Sequence, residues 1–76
     1  MMTLLEFAQG FVRFAINNPG QLMGTAFVDY TLGLSQIVGN GFIHSSFDPF
    51  GEDEVSPEAW AYIERNLHYL HPRNGE

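Results

Sequence analysis

Apolar residues along this chain fall into three stretches that repeat at helical pitch. In the first, Leu4, Phe7, Ala8, Phe11, Phe14 and Ala15 share one face when wound at about 100° per residue, and Leu5, Val12 and Ile16 widen it. Glu6, Gln9, Gly10, Arg13 and Asn17 take the other face. Thr3 followed three positions later by Glu6 is a capping-box pattern, so the spacing predicts a helix over about 4–17. Asn17-Asn18-Pro19-Gly20 then reads as a stop and restart. The apolar arc is broad enough to meet both other helices.

The second stretch predicts a helix over about 19–38, with Asn18 as its cap and Pro19 in its first turn. Leu22, Met23, Ala26, Phe27, Tyr30, Leu34, Ile37 and Val38 line one face; Thr25, Asp29, Thr31, Ser35 and Gln36 line the other. A strand competes here, because Val28, Tyr30, Leu32 and Leu34 alternate, but the helical pattern explains more positions over a longer window. Gly24 and Gly33 weaken this helix by roughly 1 kcal/mol each relative to alanine. Val28 and Leu32 interrupt its polar face. Packing beneath the loop that follows accounts for them, and a small exposed contact patch is the functional alternative. Gly39-Asn40-Gly41 ends the helix.

In the third stretch Ser56 caps, Pro57 takes the first turn and Glu58 lies near the positive end of the helix dipole. Ala59, Trp60, Ile63, Leu67 and Leu70 form its apolar stripe, with Tyr62 and Tyr69 beside it, which predicts a helix over about 57–71. Pro72 stops it and Arg73 to Glu76 is expected to fray. The loop over 39–55 is long for a compact domain, and a loop of that length tends to be functional or disordered. Phe42, Ile43, Phe47, Pro49 and Phe50 argue that it packs on the body before ending in a solvated Glu52-Asp53-Glu54. The expected fold is therefore all-α: a single domain over 1–76, a small three-helix bundle with a long packed loop between its second and third helices.

Composition narrows the chemistry. The chain has 76 residues and no cysteine, so neither a disulfide nor a thiolate metal site is available, and a reducing cytoplasm suits it. Seven phenylalanines, three tyrosines and one tryptophan must supply much of the core. Nine carboxylates against three arginines and no lysine give a net charge of −6. That excludes the cationic footprint that nucleic-acid binding requires and favours basic protein surfaces as partners. The opening residues lack the cationic leader of a secretory signal, and no apolar run is long enough to span a membrane.

No nucleophile elbow, phosphate-binding glycine loop or triad spacing is present, so no catalytic role is expected. Glu64, His68 and His71, spaced by four and three, would share one flank of the third helix and are the best metal candidates. Asp48, Glu52, Asp53 and Glu54 are a second acidic candidate for calcium, without the spacing of an EF-hand loop. Both groups have plainer readings: imidazoles at a helix C-terminus, and an acidic turn before a helix. No metal and no cofactor are expected.

Asn18-Pro19-Gly20-Gln21-Leu22-Met23-Gly24-Thr25, with the later Asp48-Pro49-Phe50, resembles short phage and bacterial proteins. Those proteins read Asn-Pro-x-x-Arg-x-Gly-Gln, then an Asp-Pro-Phe loop and a final helix. Leu22 and Thr25 stand where that pattern has arginine and glutamine. The resemblance implies phage or prophage origin and supplies no mechanism. With the charge balance, it leads to an expected non-enzymatic module in the cytoplasm of a bacterial host. Its partner is a larger host protein whose basic or nucleic-acid-facing surface it covers, in the manner of a phage inhibitor such as an anti-CRISPR. Phe47, Asp48, Phe50, Glu52, Asp53 and Glu54 are the expected contact residues, with Tyr62 and Tyr69 as further anchors. Self-association, driven by apolar surface left over on the first helix, is the alternative.

Overall fold

The computed structural model describes residues 1–71. The expected stop at Pro72 and the frayed tail of Arg73 to Glu76 lie outside the described residues. Within them every regular element is helical, and the order is α1 (Leu4–Asn17), α2 (Met23–Leu34), α3 (Gln36–Asn40), α4 (Pro57–Arg65) and a 3-10 turn (Leu67–Tyr69). The all-α expectation holds, and the strand alternative over Val28 to Leu34 is overturned, because both of its alternating sets sit on one α-helix.

α1 starts on the capping box anticipated for it: Glu6 N–H donates to Thr3 Oγ1 at 3.1 Å and Thr3 N–H donates to Glu6 Oε1 at 2.9 Å. Hydrogen bonding from the Thr3 backbone, then its side chain, holds the Glu6 carboxyl below the usual carboxylate range. Asn18 does not cap the second helix. It closes the first, its amide donating to Phe14 O at 2.8 Å. Residues 19–22 turn instead of winding, and α2 begins only at Met23.

The stretch expected as one helix over 19–38 is two helices. Ser35 is extended (φ −159°, ψ 117°), and its Oγ accepts from Val38 N–H at 3.2 Å, so the same residue ends α2 and caps α3. Serine competes well with a continued helix because its hydroxyl satisfies the backbone locally. The last helix also stops early. Asn66 folds its side chain back onto Tyr62 O at 2.7 Å, and the chain tightens into the 3-10 turn that places Leu70 in the interior.

The core is a chain of rings. Phe27 on α2 stands edge-on to Phe7 (5.4 Å), Phe11 (5.1 Å), Phe42 (5.7 Å) and Trp60 (4.9 Å), joining α1, α4 and the residues after α3. Phe42 passes the contact on to Tyr62 (4.7 Å) and Phe47 (5.9 Å). Gly10, assigned by pattern to the polar face of α1, is buried, and a Cβ there would run into the Tyr30 hydroxyl. The glycine lets α1 and α2 approach closely.

Tyr62 ties α4 to α3: its hydroxyl donates to Val38 O at 2.6 Å. Burial pushes its phenol up, opposed weakly by Arg65. The fold therefore favours the protonated phenol, and that contribution is present below the ordinary tyrosine value of ~10 and lost as pH rises past the elevated one. The melting temperature is expected to fall on an alkaline limb that Tyr62→Phe flattens, while the same substitution costs about 1 kcal/mol at neutral pH through the lost hydrogen bond. Thermal melts of both proteins from neutrality upward check this; parallel alkaline limbs would contradict it.

Candidate functional site

Residues 41–56 connect α3 to α4 without regular structure. Local hydrogen bonds set the path. Ser45 Oγ donates to Phe42 O at 2.7 Å, Phe50 N–H donates to Asp48 Oδ1 at 3.0 Å, and Glu52 N–H donates to Pro49 O at 2.9 Å. The turn over 49–52 carries Gly51 at φ +84°, which suits glycine, and His44 bends the earlier part at φ 64°.

The connector is fastened to the start of α2. Leu22 stands at the N-cap and has no side chain to offer the first free backbone N–H groups. The connector supplies the acceptor: Gly24 N–H donates to Glu52 O at 2.9 Å. In return Thr25 Oγ1 accepts from Gly51 N–H at 3.0 Å. Gly24 is buried, and a Cβ there would collide with the backbone carbonyls of Pro49 and Glu52. A glycine in the first turn of α2 is thus the condition for the connector to dock, which offsets its poor helix propensity.

Docking in this way creates an apolar dish. Val28, Leu32, Ile43, Asp48 and Phe50 line a hollow of about 240 Å³. Val28 is buried in its floor, Leu32 is half-buried, and Ile43 and Phe50 remain 50% and 57% exposed on its rim. The two residues that broke the polar face of the second helix therefore do pack beneath the loop, and they also floor this open apolar hollow. Asp48 also belongs to a neighbouring depression of about 210 Å³ with Ser46, Phe47, Pro49, Glu52, Glu54 and Ser56. Glu52, Asp53 and Glu54 are exposed.

The eight expected contact residues do not form one surface. Asp48 joins Phe50 in the dish and joins Phe47, Glu52 and Glu54 in the depression beside it. Phe47 is half-buried against Phe42 and Tyr62 (5.9 and 5.2 Å), so packing claims much of its ring. Tyr62 and Tyr69 instead line a separate groove of about 370 Å³ with Ser35, Ile37, Val38 and Asn66. Ile43, Val28 and Leu32 were missed as site residues, although Val28 and Leu32 had already stood out by breaking the helical pattern.

Glu64, His68 and His71 are not assembled. The α-helix ends at Arg65, so the spacing that would align them no longer applies, and the His68 ring lies 4.0 Å from that of Tyr69, tilted by 43°. Among the described residues no group of three or more histidines or carboxylates converges on a metal-sized space, the Asp48 to Glu54 run included. Nor is any helix among them long and apolar enough to cross a membrane. No family model, curated protein or solved structure matches this chain.

Proposed function

We propose that this chain is a non-enzymatic binding module whose connector grips a basic, apolar-studded surface on a larger protein. The observation that carries this reading is the juxtaposition at Asp48. An open apolar hollow with a half-exposed Phe50 on its rim sits beside the carboxylates of Asp48, Glu52 and Glu54. An aliphatic side chain of the partner fills the hollow, and neighbouring lysines or arginines meet the carboxylates. Buried anchors contribute most of such affinity and rim charges set association rate and salt dependence. Asp53, exposed beside them, adds to the field.

The −6 charge makes a nucleic-acid-facing surface the natural target, because an acidic module competes there with phosphate. The proposed role is that of a phage-encoded inhibitor, of anti-defence or anti-CRISPR type, acting in the host cytoplasm. The architecture serving it is a small helical bundle in which α2 and α3 part at Ser35 and the connector rests on the first turn of α2. Tyr62 and Tyr69 are secondary contacts at most.

Capture from host lysate tests this, using wild type, Phe50→Ala and the triple change of Glu52, Asp53 and Glu54 to alanine. The expected result is a basic partner that wild type retains at low salt, with the triple variant losing salt sensitivity and ~10-fold or more in affinity. Phe50→Ala is expected to weaken binding by about 1–2 kcal/mol with little change in salt slope. The same partner held by all three proteins with one salt dependence would contradict the reading.

A further inference from the structure

α1 leaves a second apolar surface uncovered, and no residue of it lines the hollow under the connector. Leu5, Val12 and Ile16 lie within about 40° of one another on the helix and are 67%, 52% and 70% exposed. They are long aliphatic side chains in a row, on a helix whose opposite side already fills the core with Phe7 and Phe11. Half-exposed Ala8 and Ala15 flank the row. Small residues there let another backbone approach closely.

The charges beside this row decide what covers it. Glu6 and Arg13 are seven residues apart, two helical turns or about 10 Å, and both lie on the same flank of the row. Among the described residues no carboxylate pairs with Arg13. Glu6 uses Oε1 for the Thr3 N–H and keeps its other oxygen open. Five of the nine carboxylates (Asp48, Glu52, Asp53, Glu54 and Glu58) lie in 48–58, while α1 itself carries one acid and one base. The α1 face is accordingly where a second acidic copy can come close without like-charge repulsion.

We infer that α1 pairs with α1 of a second copy of this chain, antiparallel about a two-fold axis near Gln9 and Gly10. In that arrangement the same flank of both helices faces the same side. Glu6 of each copy then meets Arg13 of the other, giving two equivalent ion pairs. The same register seats Leu5 between Val12 and Ile16 of the second copy, and Ala8 of each copy lies near the centre. Hydrophobic and electrostatic registers therefore coincide. A parallel pairing would put the Glu6 and Arg13 flanks of the two copies on opposite sides of the seam, where neither residue meets its counterpart and no ion pair forms. One helical stripe is smaller than the roughly 800 Å² per partner of a standard interface, so the dimer is a reversible one, with a dissociation constant of roughly 10–100 µM. It leaves the connector free on both copies, which makes the assembly a bivalent presenter of the proposed binding face.

Sedimentation equilibrium across that concentration range tests the inference, with circular dichroism confirming that every variant keeps its helices. Wild type is expected to pass from monomer to dimer. Val12→Glu is expected to remain monomeric. Arg13→Glu is expected to weaken the dimer at least ~10-fold, since the new carboxylate then faces Glu6 of the other copy, and mixing it with Glu6→Arg is expected to restore association. The triple alanine variant at Glu52, Asp53 and Glu54 dimerises as wild type does, which separates this surface from the connector. A wild-type monomer throughout the range would overturn the inference. So would Arg13→Glu dimerising undiminished, or its mixture with Glu6→Arg failing to recover.

Discussion

Replacing Phe27 with alanine is expected to leave the chain largely unfolded at room temperature. Phe27 is fully buried and is the one ring that touches Phe7, Phe11, Phe42 and Trp60 together. Its loss removes the transfer contribution of a whole ring and leaves a cavity bounded by other rings too rigid to collapse into it, about 3–5 kcal/mol in all. A domain of this size typically holds only about 3–5 kcal/mol of net stability, so the two quantities are comparable and folding fails. Urea denaturation and near-ultraviolet circular dichroism give the answer. Phe50→Ala is the matched control, expected to shift stability by no more than about 0.5 kcal/mol because its ring lies mostly in solvent. A Phe27→Ala protein that melts within a few degrees of wild type would mean that the ring cluster does not organise the core.

The second large effect concerns Gly24. At an ordinary exposed helical position, alanine in place of glycine stabilises by up to about 1 kcal/mol. Here the sign is expected to reverse. The new Cβ meets the carbonyls of Pro49 and Glu52, backbone atoms that cannot swing aside as a side-chain tip can. Relief requires the connector to lift, breaking the Gly24 N–H to Glu52 O bond and the Gly51 N–H to Thr25 Oγ1 bond together. A net loss of about 1–3 kcal/mol is expected, with helix content nearly unchanged. Because the lifted connector also opens the hollow under Phe50, partner capture should fail in this variant even where it remains folded. A stabilised Gly24→Ala protein would show that the connector does not rest on α2.

These two positions illustrate what the sequence made legible. Phe27 was readable as core because it sits on an apolar stripe, and periodicity reports burial well when one face does the burying. The starts of α1 and α4 were readable from Thr3 with Glu6 and from Ser56 with Pro57, since capping is local chemistry. Gly24 was not readable: its value depends on a carbonyl 28 residues downstream, and by propensity alone it counted against the helix. Gly10 was misassigned for a related reason, as a glycine has no side chain to declare a face and its burial comes from Tyr30. The break at Ser35 was hidden because apolar residues continue on both sides of it, so the periodic signal carried across. The start of α2 at Met23 was missed because Asn18-Pro19 is a good helix opening in isolation, and only the use of the Asn18 amide on Phe14 O removes it from that role.

The site was legible in part. The acidic run was expected in solvent and is there, and Phe50 is half-exposed as a contact residue needs to be. Tyr69 was expected on the same continuous helix as Tyr62, but the α-helix ends at Arg65, and the two rings line a groove separate from the hollow under Phe50. Val28 and Leu32 offered the better clue. Two aliphatic residues four apart on a polar face need something above them, and the connector is what arrives.

The hollow and its acidic rim exist only while the connector is held against the first turn of α2, and amide hydrogen exchange at Gly24 tests that most directly. Gly24 occupies a position whose N–H has no acceptor within its own helix, so a free connector would let it exchange almost as fast as in an unstructured chain. With Glu52 O in place, its exchange is expected to be slowed at least ~100-fold, tracking the amide of Phe27 in the core of the same helix. A protected Phe27 amide beside a Gly24 amide that exchanges freely would contradict the account.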